Sequence, residues 1–306
     1  MPSPVALFVY NRLDNTRRTI EALLANHMAS ETPVYVFSDG GKDEESWADV
    51  RRLREYLHTV TGFGQFTVIE RTENYYIERN TTEGIAEVLA KHDRIIVLED
   101  DLVTSPWFLT YMNEALDKYR DDERVWHVAG FTNLDVPELG DTYFCHHMSG
   151  TGWGTWRDRW AHFVHFTSRE QALSRLTDAQ KERMEMHGHF PCFKSLDKNP
   201  IPWDVCWDIA INQADALCLH PTHTLVRNIG LATGTHTNQM RLFGWYEYDR
   251  EPLGRRVTLA DIPVEVTPGI EARYEVAMHD HGIRYNLLGR VARWVLHNVI
   301  RRLRKA

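Results

Sequence analysis

Residues 95–101 read Ile95-Ile96-Val97-Leu98-Glu99-Asp100-Asp101, four apolar side chains running straight into three acids. A strand with one wet face alternates apolar and polar residues. A run with no polar member suits a central strand buried on both faces, as in a parallel sheet. Ligands of open parallel sheets bind beyond the carboxyl ends of the strands, so the acids stand where a ligand is met. Three adjacent carboxylates repel one another, and a cation or hydrogen-bond donors must compensate them.

Outward from this segment the pattern alternates β-rich and helical stretches, which is how βαβ units read. Val5–Tyr10 is a first strand, and Asp14 or Asn15 can cap a helix through Ala25 that buries Ile20, Leu23 and Leu24. Val34–Ser38 is a second strand ending at Asp39-Gly40-Gly41. A charged helix over 44–58 leads to a third strand, Phe66–Glu70, and Thr81 or Thr82 starts another helix toward Lys91. Pro106 opens the helix after the acids, and Val125–Ala129 is a further strand. Beyond residue 131 the alternation gives way to aromatic and glycine clusters, which predicts an elaborated half that shapes a pocket.

The 306 residues are 43% hydrophobic, enough for a real core. A formal charge of −8 argues against a nucleic-acid partner, whose phosphates need a basic surface. From His281 to the end stand seven Arg or Lys and no acid, so the first 280 residues carry −8 − 7 = −15. The four cysteines show neither CxxC spacing nor a dense framework, which fits a reducing compartment and a cytoplasmic setting. No apolar run approaches 18 residues, so a membrane-spanning helix is not expected. The natural division is 1–130, 131–280 and a basic tail, 281–306.

A hard, oxygen-liganded ion such as Mn²⁺ or Mg²⁺ suits the acidic triplet, where it can bridge a diphosphate. The same acids can also open a solvated loop, with Asp101 or Thr104-Ser105 capping the next helix. Context adds weight to the first reading. The segment 95–103 resembles the Glu-Asp-Asp metal motif of GT-A glycosyltransferases, most closely the N-acetylglucosaminyltransferase I type and its bacterial relatives. Four further segments resemble the same group in the same order: Val9-Tyr10-Asn11-Arg12 with Thr16-Arg17-Arg18, Phe37-Ser38-Asp39-Gly40, Gly152-Trp153-Gly154 with Trp156, and Trp203-Asp204.

The resemblance implies an α/β GT-A fold and an inverting, divalent-metal-dependent glycosyltransferase of the hexosyl or N-acetylhexosaminyl kind. The donor would be a nucleoside-diphosphate sugar, with UDP favoured, and the acceptor a glycan or lipid-linked saccharide. Asp101 would be the direct metal ligand and His236 a second one, while Asn11, Arg12, Asp39, Glu99 and Asp100 would hold the donor. Arg12 offers a planar set of donors for phosphate or base oxygens.

Asp204 would be the general base that takes the acceptor hydroxyl's proton. It can also cap the helix that begins beside it, and Asp208, four residues on, is a second candidate. The adjacent Val205 departs from the family pattern, which has a second acid there. Gly152, Trp153 and Trp203 would shape the sugar pocket, with Trp156 and Trp160 buried; the spacing of Trp153, Trp156 and Trp160 is helical. A nucleotidyltransferase acting on sugar phosphates is the alternative enzyme, but it would carry a glycine-rich loop where Asn11-Arg12-Leu13 stands. A non-catalytic glycan-binding module explains the tryptophans without the acids.

In the tail, Leu287, Leu288, Val291, Trp294, Val295 and Val299 fall on one arc of a helix with arginines opposite. Residues 284–306 can lie on an anionic membrane surface, making the protein peripheral, at about 1 kcal/mol per cation. The helix can equally dock on the acidic body.

Overall fold

A computed structural model describes residues 1–134, 136–230, 251–259 and 261–284. Four parallel strands carry the first half: β1 (Val5–Val9), β2 (Pro33–Ser38), β3 (Gln65–Glu70) and β4 (Arg94–Glu99). They lie in spatial order β3-β2-β1-β4, linked by α1 (Leu13–Leu24), α2 (Glu44–Leu57) and α3 (Tyr76–Leu89). β4 is apolar because both of its faces are covered. Ile96 and Leu98 join one core cluster with Val5 and Leu7, while Ile95 and Val97 join another with Ala6 and Phe8. Full burial of each such side chain stabilises by roughly 1.5–3 kcal/mol.

The helix starts are where tertiary structure overrides local pattern. Helix α1 begins at Leu13, which leaves Asp14 inside the first turn, where its charge still favours the positive helix end. Helix α2 has a local capping box between Asp43 and Ser46. Helix α3 begins at Tyr76, well before Thr81, because its first-turn acceptor comes from another strand. The Asp39 carboxylate, at the exit of β2, accepts from Tyr75 N at 2.7 Å.

The second half is more regular than its sequence suggests. After β5 (Leu102–Thr104), α4 (Phe108–Lys118) and β6 (Val125–Ala129) come β7 (Thr142–Cys145), β8 (Trp153–Trp156), β9 (Leu217–Pro221) and β10 (Val226–Asn228). Helices α5 (Arg157–Trp160), α6 (Arg169–Leu173), α7 (Asp178–Met184), α8 (Trp203–Gln213) and α9 (Ile270–Arg284) cover and extend it. The main sheet runs β3-β2-β1-β4-β8-β6-β9-β7, with β8 antiparallel to both β4 and β6.

The helical spacing of the tryptophans is corrected here. Trp153 and Trp156 sit in strand β8, three positions apart and so on opposite faces of the sheet. Helix α4 starts at Phe108, two residues after Pro106. The basic tail beyond 284 lies outside the described residues.

Candidate active site

Three strand exits meet at one corner: Asn11 and Arg12 follow β1, Asp39 follows β2, and Glu99-Asp100-Asp101 closes β4. Arg12 turns onto the acids. Its guanidinium pairs with the Asp100 carboxylate, with Nε 3.3 Å from Oδ2, and its Nη1 lies 3.0 Å from Asp101 Oδ2. Burial opposes the charge of Arg12, yet the two aspartates outweigh it and hold the guanidinium above its ordinary value. One cation thus faces three carboxylates.

The excess negative charge shows in the acids. Burial, with repulsion from Asp101 and Asp100, pushes Glu99 up to about 8. Burial lifts Asp100 to about 6, with Arg12 pulling the other way. Asp101 Oδ1 is buried with no hydrogen-bond partner. An orphaned carboxylate oxygen beside under-compensated acids is the donor set a hard divalent cation takes. Among the described residues, no three Asp, Glu, His or Cys side chains converge into a metal cage. The residues present fit a cation held by Asp101 and completed by groups outside that set.

The backbone brings one such segment to the spot. Strand β10 pairs with β5, Ile229 N donates to the Asp101 carbonyl at 2.8 Å, and Gly230 follows. A Cβ on Gly230 would lie 1.9 Å from Asp101 Oδ2, so only glycine permits this approach. His236 lies outside the described residues, six positions further on.

Asp39 is held by the main chain through one of its two oxygens. Its Oδ1 accepts from Gly40 N at 2.9 Å and Tyr75 N at 2.7 Å. Burial raises its pKa, and those backbone donors pull it back. It anchors the β3–α3 turn beside the site.

Asp204 opens α8, where its carboxylate accepts from Val205 N at 2.8 Å and Pro202 holds the cap position. Its side chain is exposed; desolvation raises its pKa, while Val205 N–H and Lys198 lower it. Repulsion from Asp204 is felt at Glu99 and at Glu78 of α3, so Asp204 lies within electrostatic reach of both. Asp208, one turn on, is pushed by burial up to about 7.

The expected sugar platform is corrected. Trp153 is fully buried, stacked on His127 at 5.0 Å and on Trp203 at 5.5 Å between ring centres. Trp203 is buried as well, so neither indole face is open to a ligand. Gly152 serves packing: at φ +66, a Cβ would lie 2.8 Å from Val226. Trp156 and Trp160 are buried, as their apolar setting implies.

The open space lies beside these residues, in a cavity of about 160 Å³ lined in part by Ser149, Thr151, His147 and Asp208. Sequence reasoning missed Gly230, Glu78 and His147. Of these only Gly230 carried a signal, a glycine directly after the short strand-forming run ending at Asn228.

An acid-tipped central strand in a mostly parallel sheet flanked by helices, with an arginine from the first strand turned onto the acids, is the architecture of the GT-A class. The model of glycosyl transferase family 2 matches residues 5–199, and the chain belongs to that family. No curated protein matches it. Among solved structures, S. aureus TarS is similar at 11% identity and a TM-score of 0.39, over 63% of this chain and 42% of TarS. The mannosyltransferase PcManGT from Pyrobaculum calidifontis, solved in complex with GDP-Man and Mn2+, is similar at 13% identity and a TM-score of 0.36, over 70% of this chain and 75% of that one. At these scores neither assigns a substrate here.

Proposed function

We propose that this glycosyltransferase is inverting and divalent-metal-dependent, moving a hexosyl or N-acetylhexosaminyl group from a nucleoside-diphosphate sugar, with UDP preferred, to a glycan or lipid-linked saccharide. The observation that carries the reading is the orphaned Asp101 oxygen beside Glu99 and Asp100, with Arg12 paired to both aspartates and Asp204 within electrostatic reach of Glu99. Mn²⁺ or Mg²⁺, held by Asp101 and His236, would supply charge stabilisation for the departing diphosphate.

The chain's own groups do the rest. Asn11 and Asp39 border the nucleotide, and Arg12 is freed to bind phosphate oxygens once the acids have another counter-charge. The Asp204 carboxylate accepts the proton of the acceptor hydroxyl. That oxygen bonds to the anomeric carbon, and the electron pair of the breaking C–O bond leaves on the diphosphate. Desolvation raises Asp204 toward a pKa useful for this transfer.

The deciding measurement is nucleoside-diphosphate release from UDP- and GDP-sugars with and without Mn²⁺. Release that needs metal supports the reading; no release and no calorimetric binding across the panel ends it. The tail, 284–306, is proposed to hold the enzyme peripherally at an anionic membrane face. Among the described residues no helix is long and apolar enough to cross a membrane. Undiminished sedimentation with anionic vesicles after removal of 285–306 would refute that role.

A further inference from the structure

The cavity beside α8 has a composition that the transfer chemistry does not explain. Its described lining contains no Lys or Arg, so it is not built for a diphosphate. At about 160 Å³ it lies below the roughly 300 Å³ at which pockets for drug-sized ligands begin. It therefore suits a single ring and not a nucleotide. The lining combines polar groups with apolar side chains, including Met148, Met184 and Met186. That combination matches a pyranose, with its hydroxyls and C–H faces.

The polar groups are held in place by their own neighbours. Asp208 Oδ1 accepts from Asn212 Nδ2 at 3.1 Å, and Asn212 Oδ1 is fixed by Arg183 Nε at 3.0 Å. His147 Nε2 lies 2.6 Å from Glu271 Oε2, which fixes the ring. Thr132 Oγ1 and Tyr143 OH share a hydrogen bond of 2.7 Å, and Tyr143 continues to Tyr274 at 2.8 Å. A preorganised rim of this kind recognises hydroxyls at little ordering cost. The acids Asp208 and Glu271 disfavour an anionic sugar.

Position ties the cavity to Asp204. Asp204 and Asp208 are four residues apart on α8, hence neighbours on one side of the helix, about 5–6 Å between Cβ atoms. The 149–151 segment that lines the cavity also meets Trp203, since a Cβ on Gly150 would lie 3.5 Å from its ring. We infer that this cavity is an acceptor subsite for one uncharged pyranoside ring, with Asp208 accepting its hydroxyls and Asp204 left to act as base. The acceptor half of this statement rests on the transfer reading above.

The lining methionines supply the readout. The full chain, labelled with ¹³C-methyl methionine, is titrated with methyl β-glucopyranoside, methyl β-galactopyranoside, methyl β-glucuronide and inorganic phosphate. At least one neutral glycoside is expected to shift the Met148, Met184 and Met186 signals saturably, and Asp208→Asn to weaken it at least tenfold. Silence of these methyls toward both neutral glycosides overturns the inference. So does a stronger response to glucuronide or phosphate, or unchanged affinity in a folded D208N. If D208N does not fold, the wild-type titration alone decides. Glycoside binding without nucleoside-diphosphate release would sink transfer and leave a saccharide site. Release with silent methyls would sink the cavity alone.

Discussion

Arg12 Nη1 sits 3.0 Å from Asp101 Oδ2, so the proposed metal ligand is already spoken for by the arginine proposed to hold the donor. Cation and guanidinium therefore compete for one carboxylate. Arg12→Ala leaves the acids without their described counter-charge, and loss of one partner of a largely buried pair costs about 3–5 kcal/mol. With Arg12 31% exposed, the lower end applies. Thermal unfolding should show R12A destabilised without metal and raised more by Mn²⁺ than wild type is. An equal Mn²⁺ effect in both would remove the competition.

Gly230→Ala should reach the same corner from the other side. Its Cβ would stand 1.9 Å from Asp101 Oδ2, and the carboxylate must move. Mn²⁺ affinity by calorimetry is expected to fall at least tenfold, about 1.4 kcal/mol, while circular dichroism stays native. Unchanged affinity would mean that Asp101 does not ligate through its present position.

Asp204→Asn is expected to keep donor binding and lose turnover by roughly 10²–10⁴, the usual contribution of a general base. In wild type the acid limb of kcat should lie above the ordinary carboxylate range, because desolvation raises Asp204 and activity falls as the base is protonated. Retained turnover in the variant would pass the role elsewhere.

Trp153→Ala tests the corrected platform. A fully buried indole removed from between His127 and Trp203 should cost about 3–5 kcal/mol in urea unfolding. A variant of native stability whose only defect is a raised acceptor KM would restore Trp153 to the pocket.

His220 gives a pH signature. It is fully buried, between the carbonyls of Phe131 at 3.1 Å and His147 at 2.8 Å, and burial lowers it from 6.5 to about 4. Between those values the unfolded chain binds the extra proton, so the ring's contribution is complete above pH 6.5 and drains away as pH falls toward 4. The stability difference between wild type and His220→Gln should shrink across that window by up to roughly 1.4 kcal/mol per pH unit. A difference constant with pH would place a charged ring in the fold.

Legibility followed how local each cause is. The apolar run at β4 announced its own double burial, and the acids after it their place at the strand exit, because both depend on adjacent residues. The start of α3 was hidden, since its capping acid, Asp39, lies 36 positions before Tyr75. Strand β8 was misread because its tryptophans lie on opposite sheet faces while sharing a helix-like interval. The cavity drew on residues from 131 to 274, a convergence no window of sequence displays.

The placement of β8 between β4 and β6 has a mechanical consequence. A strand laid antiparallel into the middle of the sheet stitches the acid-bearing strand to the later half through main-chain hydrogen bonds on both sides. The halves cannot swing apart as rigid bodies without tearing that seam, so entry and exit of substrates fall to the segments beyond the strand ends.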